Sequence, residues 1–222
     1  MRPATERRPK ALLDVAGRPF ADSQLEWLES QGVRHVVYSI GFMGDHIRDH
    51  VGDGSAHNLH VDYVDEGDRL LGTGGALRLV VDSGLVGNAF FVLNGDSYLD
   101  VDLHDVERAF RSSGRPALMT VLRNRDQWDR SNAVVRDGLV VLYDKRPGRS
   151  TAEMEWIDYG LSVLSTEPIA KAVPSGTVAD LADIMHDLSK RSQLAGYEVT
   201  TRFYEIGSPE GLHALEAHLQ GS

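Results

Sequence analysis

The sequence predicts an α/β fold, a single domain built on a mostly parallel sheet with helices on both faces. In the amino-terminal third, segments with helical spacing of apolar residues alternate with short apolar segments that predict strands. Further along, the apolar run 90–93 is too short for a helix core, and we interpret it as a strand buried on both faces. Strands that are joined through helices favour parallel pairing with right-handed crossovers.

The size and composition are those of one globular domain. The chain has 222 residues, of which 41% are hydrophobic and 25% are charged, enough for one core within a single domain over residues 1–222. It has no cysteine, which excludes disulfides and thiolate zinc sites. No apolar run approaches membrane-spanning length, and residues 1–8 carry no apolar secretory segment. We therefore expect a cytoplasmic protein without a membrane partner.

The charge limits the possible partners. A net charge of −10 argues against nucleic-acid binding, because contacts with phosphates dominate that affinity. It does not exclude a nucleotide, which needs only a local positive pocket. Positive charge is concentrated at the amino end, in Arg2, Arg7, Arg8, Lys10 and Arg18. These residues form either a solvated basic end or a phosphate pocket.

The amino-terminal elements follow from apolar spacing and from turn residues. An extended loop carries Lys10, and a helix with Leu25 and Leu28 on one face follows it and ends at Gly32. The next predicted elements are a strand over 33–40, a short helix over 45–50 and a strand over 59–64.

A glycine-rich segment precedes the next predicted helix. Leu71, Gly72, Thr73 and Gly74 stand directly before an apolar helical pattern. Glycine lets the backbone approach a ligand closely, and a helix N-terminus offers unpaired N–H groups. The spacing is neither that of a Walker loop nor that of a dinucleotide-binding fingerprint. Considered alone, such a loop is more often a connection than a binding site.

The predicted strand over 90–93 ends in Asn94-Gly95-Asp96. In an open α/β sheet, ligands bind at the carboxyl ends of strands, where Asp96 could hold a cation on a bound phosphate. The alternative is a turn without a ligand, since these three residues also have turn chemistry.

Two other spacings are typical of metal sites but have simpler explanations. Asp100 and Asp102 form the Asp-x-Asp pattern of many glycosyltransferases, yet Asp102 also stands where it would cap a helix that begins near Leu103. His46 and His50 are four residues apart on the short helix, but neighbouring charges favour a solvated face.

The second half of the chain continues the pattern of strands and helices. Asp137-Gly138 between two apolar runs predicts a hairpin, and Lys145 lies just beyond its second strand. The remaining predicted elements are strands over 117–122 and 157–163, a helix behind Asp180, a strand over 198–206 that carries Glu205 near its end, and a last helix opened by Ser208.

Taken together, six motifs resemble the sugar-phosphate nucleotidylyltransferase family. In the order of the chain they are 9–19, 71–77, 94–96, 144–145, 158–160 and 205–210. The resemblance implies a Rossmann-like nucleotide-diphospho-sugar transferase fold, and an enzyme that joins an NTP to a sugar 1-phosphate with release of pyrophosphate. Heptose 1-phosphate guanylyltransferases are the most similar members, although neither the base nor the sugar is decided. A nucleotide-binding homologue without turnover and a glycosyltransferase that uses Asp100 and Asp102 are the alternatives.

The resemblance also implies a role for each matching residue. Lys10 would contact the phosphates of the nucleotide or sugar, and Lys145 would bind the sugar 1-phosphate. Asp96 would hold Mg²⁺ together with Glu205, which stands where the family usually has an aspartate. The implied substrate-binding residues are Leu71, Gly72, Thr73 and Gly74 for the base and ribose, Asp158 and Gly160 for the sugar, and Asn94.

The resemblance breaks down at the start of the sequence. In this family a strand and a glycine-rich loop ending in Gly-Thr-Arg precede the segment that matches 2–5, and here Met1 stands just after that position. We therefore expect the first strand and the triphosphate loop to be missing. The sequence would then begin at an internal methionine of a longer product or belong to a shortened homologue. Either way, this chain is expected to have weak or no activity, because the loop supplies phosphate-binding donors.

Overall fold

The computed structural model describes residues 8–220, and the expectations for Arg2, Arg7 and segment 2–5 lie outside them. The helices are α1 (Phe20–Ser30), α2 (Gly44–Val51), α3 (Gly72–Ser83), α4 (Leu103–Ser113), α5 (Thr166–Ala172), α6 (Leu181–Lys190) and α7 (Pro209–Gln220). The strands are β1 (Asp14–Val15), β2 (Arg18–Pro19), β3 (His35–Ile40), β4 (His60–Asp65), β5 (Ala89–Leu93), β6 (Ser97–Tyr98), β7 (Ala117–Arg123), β8 (Ala133–Arg136), β9 (Leu139–Tyr143), β10 (Trp156–Ser165), β11 (Leu194–Val199) and β12 (Tyr204–Glu205). No helix within 8–220 is long and apolar enough to cross a membrane.

The described residues group into two compact units. The first unit consists of residues 8–70, 94–99 and 203–220, and the second consists of residues 71–93 and 100–202. Each unit is therefore assembled from stretches that are separated in the sequence. The expectation of one domain stays a prediction.

The first unit combines a parallel strand pair with three helices. β3 and β4 pair in parallel from His35 opposite His60 to Ile40 opposite Asp65. Helix α1 lies between two apolar clusters, because Leu25 packs with the residues around β4 whereas Phe20 packs with α7. As its sequence predicts, α7 follows Ser208 and places Leu212, Leu215 and Leu219 in the second cluster.

The second unit contains a six-stranded sheet in the order β5-β10-β7-β11-β9-β8. The α/β class is confirmed, but parallel pairing has a smaller share than the sequence suggests. β7 and β11 pair in parallel, as β3 and β4 do, whereas β10 runs antiparallel to both β5 and β7. Apolar periodicity identifies strands but does not fix their direction, and mixed sheets are common in folds of this class.

One strand is less buried than expected. The sequence predicts that residues 90–93 are buried on both faces, but these side chains are only partly buried. Among the described strands, β5 is the end member of its sheet and pairs on one side with β10. A terminal strand has fewer neighbouring side chains to cover it, so an apolar run does not guarantee full burial.

The hairpin is confirmed, and one strand prediction is wrong. β8 and β9 pair antiparallel around Asp137 and Gly138, whose φ values of 50° and 72° are those of a type I′ turn. The segment 198–206 is not one strand, because β11 ends at Val199 and β12 begins at Tyr204. Between them the hydroxyl of Thr201 donates to the carbonyl of Asp100 at 2.6 Å, which takes the chain out of the strand.

Candidate functional site

In the first unit, Lys10 and Asp96 meet. The Nζ atom of Lys10 lies 3.4 Å from Oδ2 of Asp96, and the two side chains are 48% and 33% exposed. Lys10 stands in a single 3₁₀ turn after Pro9, and Asp96 stands in the turn between β5 and β6. An exposed ammonium group beside an exposed carboxylate can exchange this partner for a phosphate or a cation.

Gln24 fixes the turn that carries Asp96. Its side-chain amide donates to the carbonyls of Asn94 and Ser97, each at 3.1 Å, and only 5% of Gln24 is exposed. The N–H of Ser97 also donates to the Asn94 carbonyl at 3.3 Å. The backbone of Asn94 thus builds the turn, while its side chain is exposed.

Glu205 lies on the strand that adjoins Asp96. β12 and β6 pair antiparallel with Glu205 opposite Ser97, and the N–H of Ile206 donates to the carbonyl of Asp96 at 3.0 Å. The next residue, Gly207, runs past the ion pair, since a Cβ there would lie 3.9 Å from Oδ2 of Asp96. Both carboxylates reach solvent. Carboxylate oxygens are the protein ligands that Mg²⁺ prefers, so Asp96 and Glu205 have the donor chemistry for that ion.

In the second unit, the glycine-rich segment begins α3 and is covered by another stretch of chain. The N–H groups of Gly74 and Gly75 donate to the carbonyl of Ala179 at 2.9 and 3.2 Å. In return, the N–H of Ala179 donates to the carbonyl of Leu71 at 2.9 Å. A Cβ on Gly72 would lie 2.6 Å from the carbonyl oxygen of Ala179. This packing alone requires glycine, and it occupies two of the N–H groups at the helix start.

Thr73 joins the starts of two helices. Its hydroxyl donates to Oδ1 of Asp180 at 3.0 Å and accepts from the N–H of Leu181 at 2.9 Å. Loss of hydration on burial would by itself raise the pKa of Asp180. The hydrogen bonds from Ala182 N–H and from Thr73, together with the charge of Lys145, outweigh this effect and hold the pKa below its ordinary value. Asp180 therefore serves both as the cap of α6 and as the partner of Thr73.

Lys145 is exposed, and it lies in a loop that Asp144 anchors. The Asp144 carboxylate accepts two hydrogen bonds from the guanidinium of Arg146, at 2.8 and 2.5 Å. These bonds lower the pKa of Asp144 to about 2. On the other side of the loop, His186 Nδ1 lies 2.6 Å from the carbonyl of Tyr143. The Asp144 carboxylate thus forms its hydrogen bonds within its own loop, and Lys145 projects from that loop.

Asp158 lies on β10 at a break in the strand register, where Gly160 has a φ of 94°. Its carboxylate accepts from the N–H of Gly160 at 3.0 Å and from the hydroxyl of Tyr143 at 3.1 Å. Burial raises the pKa of Asp158, and these two hydrogen bonds and the charge of Lys145 oppose the rise. Lys145 therefore acts electrostatically on both Asp158 and Asp180.

Comparison with known proteins identifies the family. The family model described as "Nucleotidyl transferase" matches residues 1–218. The chain belongs to this family. The family predicted from the sequence is thus confirmed.

Several characterised members of the nucleotidyl transferase family are similar to this chain. N-acetylmuramate alpha-1-phosphate uridylyltransferase of Neisseria meningitidis serogroup B is 38% identical over 102 residues, which are 46% of this chain and 44% of that protein. The UTP–glucose-1-phosphate uridylyltransferase of Synechocystis is 24% identical over 91% of this chain and 55% of its own length. This chain therefore spans about half the length of these two relatives.

The similarity of fold extends over almost the whole chain. The crystal structure of HddC from Yersinia pseudotuberculosis, complexed with GMP-PN, superposes with a TM-score of 0.79 at 24% identity, and covers 96% of this chain and 90% of that one. The D-glycero-alpha-D-manno-heptose 1-phosphate guanylyltransferase of Aneurinibacillus thermoaerophilus is 23% identical over 99% of this chain and 93% of its own.

Within the described residues, Asp102 and His50 of the two other metal-like spacings have hydrogen-bond partners outside those spacings. Asp102 caps α4, with Oδ1 accepting from the N–H groups of His104 and Asp105 at 2.8 and 3.3 Å, as the capping interpretation predicts. Nε2 of His50 lies 2.8 Å from Asp22 rather than beside His46, which is exposed.

Sequence reasoning missed the residues that support the turns and loops of the candidate site. Gln24 carried a usable signal, because it is a polar residue on the apolar face of α1, next to Leu25 and one turn from Phe20 and Ala21. The role of Tyr143 gave no such signal, because its partner Asp158 lies 15 residues away in the sequence.

Proposed function

We propose that this protein transfers a nucleotidyl group from an NTP to a sugar 1-phosphate, forming an NDP-sugar and pyrophosphate. The observation that carries the proposal is the contact of Lys10 with Asp96 beside the strand of Glu205, in a member of the nucleotidyl transferase family. The relatives named above transfer different nucleotides to different sugars, so the base and the sugar stay open. NTPs and sugar phosphates are kept inside cells, and a cytoplasmic location is part of the proposal.

The reaction requires positive charge, because two polyanions must approach each other. A phosphate oxygen of the sugar 1-phosphate attacks the α-phosphorus, the bond to the bridging oxygen breaks, and pyrophosphate leaves with the electron pair. Lys10 would bind a phosphate oxygen in place of its present contact with Asp96. Asp96 and Glu205 would hold Mg²⁺, which when bound supplies positive charge for the phosphates.

The second unit would bind substrate groups. Lys145 would bind the phosphate of the sugar 1-phosphate, and Asp158 and the backbone of Gly160 would contact the sugar. Leu71, Gly72, Thr73 and Gly74 would contact the base and ribose, with Asn94 of the first unit as a further substrate ligand. The anchoring of these residues supports the proposal, because Thr73 is held by Asp180 and Asp158 is held by Tyr143. Fixed ligands lose less freedom when the substrate binds.

No side chain has to act as a nucleophile, since the sugar phosphate itself attacks. Positioning and charge are sufficient for such a transfer. The glycosyltransferase alternative is not favoured, because Asp102 caps a helix. A homologue that binds NDP-sugar without turnover is the remaining alternative.

The test is pyrophosphate release by the full chain, incubated with Mg²⁺, each common NTP and a panel of sugar 1-phosphates. Given the weak activity that the sequence predicts, at least one pair should release pyrophosphate slowly, and Asp96→Asn should lower that slow rate by about 10² or more. Asp49→Asn is the matched control, because Asp49 is an exposed carboxylate on α2. Release that is equal in D96N and D49N contradicts the proposed role of Asp96. NTP binding without release across the whole panel supports the homologue without turnover.

A further inference from the structure

In the first unit, three side chains of types that can bind metals meet on one face of the β3–β4 pair: His35, His60 and Asp62. His35 and His60 are directly opposite each other in the parallel register. Asp62 is two residues beyond His60, and side chains two apart in a strand share a face. The sequence gives no sign of this group, because His35 and His60 are 25 residues apart and come together only through strand pairing.

The distances in this cluster are those of ligands around one small ion. Oδ2 of Asp62 lies 2.8 Å from Nε2 of His35 and 3.2 Å from Nε2 of His60. The imidazole rings stack with centroids 5.2 Å apart, and one ligand atom from each residue lies within 4.8 Å of the other two. Ligand atoms around a tetrahedral Zn²⁺ with bonds of ~2.0–2.1 Å are roughly 3.3 Å apart.

We propose that His35, His60 and Asp62 bind a divalent transition-metal ion of the Zn²⁺ type. Two imidazoles with one carboxylate suit Zn²⁺, Co²⁺ or Ni²⁺, whereas Mg²⁺ prefers oxygen ligands. The ion would lie between the two Nε2 atoms and the Asp62 oxygen that both of them now approach. This site is separate from the proposed Mg²⁺ ligands Asp96 and Glu205, and it does not depend on the proposed function.

The site is open to an incoming ion. The side chains of His35, His60 and Asp62 are 40%, 67% and 31% exposed, so water can complete the coordination shell.

Binding would add a cross-link between two strands that already pair in parallel. An ion that binds the folded chain and not the unfolded chain raises the thermal midpoint in proportion to the logarithm of its concentration. The expected consequence is a zinc-dependent stabilisation of the first unit.

The test uses the full chain without an affinity tag, titrated with Zn²⁺ by calorimetry and with Co²⁺ by visible absorption. His35→Gln and His60→Gln should each weaken Zn²⁺ binding by at least about tenfold, since even partners behind the ligands contribute that much. His46→Gln, an exposed histidine on α2, should leave binding unchanged. Millimolar Mg²⁺ should not displace the ion.

The contradicting outcomes are specific. The proposal fails when H35Q, H60Q and H46Q bind Zn²⁺ with the same affinity, or when Zn²⁺ does not raise the thermal midpoint. A second aspartate with two histidines, Asp22 with His50 and His57 at 2.8 and 3.4 Å, offers a direct comparison. Binding that is lost in His50→Gln but retained in H35Q places the ion at Asp22 and overturns the assignment.

Discussion

The hydroxyl of Tyr143 donates a hydrogen bond of 3.1 Å to the carboxylate of Asp158. Tyr143 is 2% exposed, and burial raises its pKa as well as that of Asp158. The tyrosine therefore keeps its proton and acts as a permanent donor. It holds in place the carboxylate that we propose to contact the sugar.

Tyr143→Phe should destabilise the protein because it removes this donor from a buried carboxylate. The expected loss at neutral pH is about 1–3 kcal/mol of unfolding free energy. Since the folded-state pKa of Asp158 is raised, its ionised form destabilises the fold as the pH rises above the ordinary value of 3.8. The loss caused by Y143F should therefore shrink at acid pH.

Urea unfolding near neutral pH and near pH 4 measures both effects. Tyr197→Phe is the control, because Tyr197 is a partly buried tyrosine on β11 of the same sheet. An equal loss for Y143F and Y197F, or a loss that does not change with pH, contradicts the assigned hydrogen bond.

Gln24→Met should loosen the turn of Asp96. The substitution keeps the approximate size of the side chain but leaves the carbonyls of Asn94 and Ser97 without their amide donor. We expect a loss of about 1–3 kcal/mol in unfolding free energy and a fall in turnover with little change in the KM for the NTP. Gln193→Met, at an exposed position, should change neither quantity. Unchanged turnover in Q24M would show that the turn does not need this support.

Thr73→Val should uncouple α3 from α6. The hydroxyl that donates to Asp180 and accepts from Leu181 is lost, with an expected decrease of about 1–2 kcal/mol in unfolding free energy. The folded-state pKa of Asp180 is lowered, so its stabilising contribution is present above the ordinary value of 3.8 and is lost as the pH falls through the folded-state pKa. T73V should weaken this acid dependence, measured by unfolding across pH 2–6, and the exposed Thr151→Val should leave it intact.

Glu205→Gln should lower turnover by about 10² or more when Glu205 holds Mg²⁺ as proposed. Glu205→Asp should retain activity, because it keeps the carboxylate and shortens the side chain by one methylene. The rate is measured as pyrophosphate release at several Mg²⁺ concentrations, and E205D should respond to Mg²⁺ where E205Q does not. Glu210→Gln, on the exposed first turn of α7, is the control. A rate for E205Q equal to that of E210Q removes Glu205 from the metal site.

Local signals in the sequence predicted much of the fold. The cap Asp102, the helix behind Asp180 and the Asp137-Gly138 hairpin lie where the sequence places them, because each depends on residues close together in the sequence. Contacts across long stretches were not predictable in this way. Gln24 bonds to a carbonyl 70 residues away, and its partner could not be identified from spacing.

The candidate site likewise has parts that the sequence predicted and contacts that it could not predict. Lys10, Asp96 and Glu205 were named from motifs that resemble a family, and the structure brings Lys10 to Asp96 and the strand of Glu205 next to it. The contacts of the glycines after Leu71 could not be predicted from the sequence. The N–H groups of Gly74 and Gly75 donate to the carbonyl of Ala179, which is more than 100 residues later in the chain.

The discontinuity of the first unit has a consequence for synthesis on the ribosome. Its last stretch, residues 203–220, supplies the strand that pairs beside Asp96 and the helix that covers Phe20. A nascent chain therefore exposes Phe20 and an unpaired β6 until residues 203–220 have been translated. Fragments that stop before Tyr204 should aggregate or be degraded, even though they contain most of the proposed ligands.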